Sequence, residues 1–143
     1  MDNYMWSYNG QEFSDDFSEY IGFVYLITNT TNDRKYIGKK QFFSINRVMR
    51  TVKLKSGIKK RKKVTLKTES NWKDYYGSSH ELLADIELLG IDKFKREILY
   101  LCKTLGTLSY IEARYQMDLR VLESDEYYNG QIQCRVHKNH LKL

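Results

Sequence analysis

The stretch that most restricts the fold is residues 22–38, where two short runs of β-favouring residues, "GFVYLIT" and "RKYIG", flank the turn-forming "NTTND". Strands joined by so short a loop can pair only antiparallel, so the stretch reads as a β-hairpin with a loop longer than two residues. It puts Tyr25 and Tyr36 on strands that pair with each other, one hydroxyl in each apolar run.

Further along, the spacing of Phe42, Phe43, Ile45, Val48 and Met49 predicts a short basic helix over 42–50. "TVKLKSGIKKRKKVTLK" (51–67) alternates polar and apolar residues on both sides of Ser56-Gly57 and reads as a lysine-rich hairpin or loop with an exposed tip. "SSHELLADIELLG" predicts a helix capped by Ser78 or Ser79, buried through Leu82, Leu83, Ile86 and Leu89 and closed by Gly90. "KFKREILYLC" predicts a strand. "TLSYIEARYQMDLRVLES" predicts the strongest helix, with Thr107 as cap and Leu108, Ile111, Tyr115, Leu119 and Leu122 along its apolar stripe. Near the end, Asn129-Gly130 between β-favouring residues is a tight-turn signal. Residues 1–20 are polar and aromatic without periodicity and are expected to form an arm, ordered or loose. Residues 21–143 are then one domain carrying a lysine-rich insertion at 51–68. The element order predicts a small mixed domain, α/β or α+β, with a largely antiparallel sheet.

Charge narrows the choice of partner. The 143 residues carry a formal net charge of +6, unevenly placed. Residues 1–20 hold five acids and no base, whereas residues 34–67 hold fourteen Lys or Arg and no acid. That block is an electrostatic footprint for a polyanion, with DNA the leading partner. Cys102 and Cys134 lack metal-ligand spacing with His80, His137 and His140, which read as surface residues. Both thiols are expected to be reduced in a cytoplasmic protein. With no apolar run long enough for a bilayer and no export signal, no membrane role is expected. Association into homo-oligomers is left open.

One residue on the long helix stands out. Leu108, Glu112, Tyr115, Leu119 and Leu122 step by four, three, four and three, which puts Glu112 within an apolar stripe. A carboxylate there is costly unless it is paired, hydrogen-bonded or holding a cation. The alternative is a slightly rotated helix, with Ile111 central and Glu112 at a wet margin.

These features together resemble the GIY-YIG nuclease family. Phe23-Val24-Tyr25 is similar to the family's Gly-Ile-Tyr with the tyrosine kept, and Tyr36-Ile37-Gly38 matches Tyr-Ile-Gly unaltered. Lys39 follows the second glycine as in excision-repair members. The family's helical arginine is best matched by Arg47, one residue off the commonest spacing, with Arg50 as substitute. Glu112 with Tyr115 matches the family's glutamate and aromatic, and Tyr128-Asn129 its late asparagine. Thr51 stands where members often carry His or Tyr, which leaves the proton acceptor unassigned. Six ordered matches are a far stronger signal than one triplet.

The resemblance implies a central three-stranded, largely antiparallel sheet flanked by helices, and a Mg²⁺-dependent DNA endonuclease with Mn²⁺ as substitute. It implies catalytic roles for Tyr25, Tyr36, Lys39, Arg47, Glu112 and Asn129, with Glu112 as the metal ligand. Lys40, Arg50, Lys59, Lys60, Arg61, Lys62 and Lys63 are expected to contact the DNA backbone. A single carboxylate suits Mg²⁺, which keeps most of its water. Each residue also has a plainer role open to it: tyrosines pack well on strands, lysines solvate strand ends and Asn129 makes turns. A nucleic-acid-binding module of the same fold without cutting activity is the alternative function, and an RNA-processing or ribosome-associated basic protein ranks below it. Glu112 separates the first two, since a binding module has no use for a carboxylate at phosphate level.

Overall fold

The computed structural model describes residues 5–143. In chain order the strands and α-helices are β1 (Trp6–Tyr8), β2 (Gln11–Glu12), β3 (Gly22–Asn29), β4 (Lys35–Gln41), β5 (Phe43–Lys53), β6 (Lys59–Glu69), α1 (His80–Leu89), β7 (Phe94–Cys102) and α2 (Leu105–Asp118). The expected hairpin is β3 and β4, antiparallel, with Tyr25 directly opposite Gly38 and Ile27 opposite Tyr36. Its loop is held by Asn29, whose Oδ1 accepts from the Thr31 amide at 3.0 Å, and it turns through Asp33 in the left-handed region.

The sheet is larger than the three strands expected. Among the described residues it has five, in the order β2-β1-β7-β3-β4, with β1 parallel to β7 and the other pairs antiparallel. The two extra strands come from the acidic N-terminal stretch, which therefore continues the sheet. Trp6, 2% exposed, packs edge-on to Phe23 and Tyr25. Such ring contacts add to the burial of large apolar surface that anchors this segment.

Alternation along β3 divides the core in two. Phe23, Tyr25 and Ile27 face Trp6, Phe42, Trp72 and the α1 residues Leu82 and Ile86. Val24 and Ile37 face the α2 residues Leu108 and Ile111. No helix among the described residues is long and apolar enough to cross a membrane.

Three local expectations are corrected. Residues 43–53 form a strand, not a helix: all eleven pair in register with 59–69 in a separate two-stranded antiparallel ribbon. That ladder outweighs the helical spacing, and it makes the lysine-rich segment a hairpin of greater reach than 51–68. Helix α2 begins one turn earlier than expected, capped by Thr104, whose Oγ1 accepts from the Thr107 amide. It ends at Asp118, so Leu119 and Leu122 lie outside it and are exposed. Asn129-Gly130 makes no hairpin turn; Gly130 does not take a positive φ, and the Asn129 side chain is used elsewhere. Helix α1 matches its expectation at the cap, Ser79, and at Leu82 and Ile86, while Leu83 and Leu89 are exposed.

Candidate active site

Strand β4 is an edge strand, so every second residue turns its backbone N–H and C=O outward with no strand to receive them. Lys35 is met by main chain: its amide donates to the Glu126 carbonyl and its carbonyl accepts from the Tyr128 amide, at 2.8 and 2.7 Å. Ile37 is met by side chains. Its amide donates to Asn129 Oδ1 at 3.0 Å, and its carbonyl accepts from Asn129 Nδ2 at 2.8 Å and Gln116 Nε2 at 3.1 Å. Lys39, next in phase, directs its amide at the Glu112 carboxylate. Asn129 thus acts as a one-residue strand, and its 9% exposure reflects that use.

Both faces of β4 reach round this edge. Tyr36 and Lys40 project on one face; Lys40 Nζ sits 4.2 Å above the Tyr75 ring. Lys39 projects on the other and donates to Ser109 Oγ at 2.8 Å. An open cavity of about 590 Å³ lies along the edge, lined among others by Tyr36, Lys39, Glu112, Gln116, Asn129, Ser78 and His80. A second, of about 640 Å³, begins at Lys39 and Lys40 and runs to Ser44, Ile45 and Asn46 at the ribbon's root. Lys39 borders both.

On α2, Ile111 is buried at 6% exposure and Glu112 is half-buried beside it, so the carboxylate occupies the helix margin that faces the cavity. Burial raises its pKa above the ordinary value, opposed by the Lys39 ammonium and amide. Ser109, Glu112 and Gln116 form a polar stripe at helical spacing beside the apolar one.

The two tyrosines differ. The Tyr36 hydroxyl reaches the cavity, 3.1 Å from Ser78 Oγ, and burial raises its pKa against that hydrogen bond. Tyr25 is 1% exposed and does not line the cavity. Its hydroxyl lies over Gly38, where any Cβ would clash with it, and bonds to Tyr75. Burial, reinforced by Tyr75 and Tyr36, holds its pKa well above 10. Tyr25 is the floor beneath Tyr36.

Arg47 and Arg50, expected on a helix, are exposed on β5 of the ribbon and do not line the cavity, while Lys59, Lys60, Arg61, Lys62 and Lys63 are exposed on β6. Four residues escaped the sequence reading. Ser109 and Gln116 lie three before and four after Glu112, a spacing that could have revealed them. Ser78 and His80 come from the loop and first turn of α1, and no local signal connects them to a strand forty residues earlier.

Among the described residues no three His, Cys, Asp or Glu side chains converge. A family model described as "Putative endonuclease segE, GIY-YIG domain" matches residues 6–132. No curated protein and no solved structure matches the chain. The match runs from the first strand past the asparagine that clamps the edge of β4, and the chain belongs to the GIY-YIG nuclease family.

Proposed function

We propose that the chain is a Mg²⁺-dependent DNA endonuclease that hydrolyses phosphodiester bonds at a one-metal site, with Mn²⁺ able to substitute. The observation that carries this is Glu112: a half-buried carboxylate, raised in pKa by burial, in one cavity with Tyr36, Lys39 and Asn129. Buried charge of that kind is costly to keep and concentrates at functional sites.

The donor set fits a hard cation. Gln116 Nε2 is committed to the Ile37 carbonyl, and its Oε1 is buried with no partner among the described residues, one helical turn from Glu112. Glu112 would hold Mg²⁺, with water and phosphate oxygens completing its shell. When bound, the ion would neutralise charge on the phosphate and favour ionisation of water. Lys39 places a positive charge beside the same phosphate. Tyr36, a phenol that burial holds still more firmly in its protonated form, donates its hydroxyl to orient water or a phosphate oxygen. Tyr25 supports Tyr36 from below, and Asn129 with Gln116 fixes the edge strand on which Tyr36 and Lys39 ride. Lys40 extends the positive path to the ribbon, where Arg47, Arg50 and the β6 lysines grip the DNA backbone.

One observation favours a second reading, a binding module that does not cut: no arginine lines the cavity. Purified protein incubated with supercoiled plasmid decides between them. Nicked and linear products with Mg²⁺ and none with EDTA are expected; binding without cleavage at any Mg²⁺ or Mn²⁺ concentration would leave the binding module.

A further inference from the structure

Strands β5 and β6 are eleven residues each, about 35 Å at the usual rise per strand residue, and they form a sheet of their own outside the five-stranded one. Its root is clamped where β4 ends: Phe42 is fully buried, the Ser70 amide donates to the Phe42 carbonyl, and Ser70 Oγ donates to the Gln41 carbonyl at 2.6 Å. The arm therefore leaves directly from the strand that carries Tyr36 and Lys39.

Beyond the root the shaft is cationic on both faces. Register puts Arg47, Lys53, Lys59, Arg61 and Lys63 on one side and Arg50, Lys60 and Lys62 on the other. None of the ion pairs among the described residues uses a ribbon cation. Exposed apolar side chains run from Ile45 and Met49 on the shaft to the tip, which also carries Lys55. Leu54 and Ile58 close the turn, the Leu54 amide donating to the Ile58 carbonyl at 2.8 Å, and they are 43% and 63% exposed. Two large apolar side chains at the far end of the shaft thus stay in good part open to solvent.

We propose that this ribbon is an arm that grips duplex DNA along its phosphates and wedges Leu54 and Ile58 into a base step from the minor-groove side, kinking the duplex. The partner is double-stranded DNA, the substrate of the reading above, which offers phosphate charge along the shaft together with an apolar base stack for the tip. Apolar wedges on cationic arms unstack a base step and bend the helix toward the major groove, and the cost is offset by the larger protein surface that the bent DNA wraps. Lysines alone would bind along the backbone and deform little. The inference rests on the DNA reading above and concerns a different part of the molecule from the cleavage chemistry.

The test uses the whole protein in EDTA with an end-labelled duplex of about 30 base pairs, well below the persistence length. Energy transfer between the ends reports bending, and permanganate reactivity reports unstacking wherever a thymine flanks the opened step. The parent should bring the ends together and raise thymine reactivity severalfold. A Leu54→Ser/Ile58→Ser variant should melt at the parent's temperature, keep the salt dependence of binding, and lose most of both signals. A parent that binds without bending or unstacking overturns the proposal, as does a tip variant that gives both signals in full. Cleavage of supercoiled plasmid with Mg²⁺ is scored separately. Bending without cutting would sink the nuclease reading and leave the wedge, whereas cutting without bending would do the reverse.

Discussion

The paired tyrosines, so alike in sequence, are divided in role by a strand's width. Tyr36 reaches the cavity and Tyr25 is sealed under it, against Gly38, Trp6 and Tyr75. Tyr36→Phe should lower the single-turnover cleavage rate about 100-fold, the scale of losing one oriented donor, with the melting temperature unchanged. Tyr25→Phe should instead cost about 1 kcal/mol of stability, because it leaves the Tyr75 hydroxyl unpaired, with a much smaller drop in rate. Equal, near-parental cutting by both variants would make the two residues core aromatics only. Glu112 shows the converse economy. Its pKa in the fold lies above the ordinary value, so the native state binds the extra proton and stability declines as pH rises through that window. The fold tolerates this decline for a charge at the cavity wall.

At the scale of elements, what could be read from the sequence depended on where each element's partner lies. The β3–β4 hairpin and the start of α1 are local, and their turn and capping residues announced them. Residues 42–50 carry two patterns at once. Phe42, Phe43, Ile45, Val48 and Met49 fit a helical face, yet Phe43, Ile45 and Met49 also fall on one face of a period-two strand, and only the ladder to β6 decides. Asn129 drew attention in the sequence as a candidate site residue but not as a strand surrogate, since its partner Ile37 is 92 residues away. The ribbon's charge was plain, and its role in affinity can be measured. Replacing Lys59, Lys60, Arg61, Lys62 and Lys63 with Gln should weaken binding on every sequence alike. It should also flatten the log–log salt dependence by about 0.9 for each phosphate that is no longer neutralised. Anisotropy titrations across a salt series check this, and superimposable slopes would mean these side chains do not touch DNA.

In the whole molecule, the sheet carries the proposed site at one edge and a cationic arm extends from that same edge. The family resemblance was legible because it rests on short signals within single elements: Tyr-Ile-Gly on β4, Glu112 on α2, Asn129 after it. The sheet's true width was not, because β1 pairs in parallel with Arg96 to Ile98, most of the chain away. A three-residue strand so remote from its partner leaves no periodic trace. Arg47 and Arg50 sit on a strand for a related reason: the family pattern assumes a helix after β4, and this chain builds its ribbon there. What unites the molecule is the carboxylate at the edge of β4, and Glu112→Gln tests it with least disturbance, keeping the shape and one acceptor for the Lys39 amide. Plasmid cleavage with Mg²⁺ and DNA affinity should be measured on one preparation of parent and variant. Cleavage should fall to background while affinity stays within about twofold, because the group removed is the one proposed to hold the metal and not the DNA; a Glu112→Gln protein that still cuts near the parental rate would contradict the account.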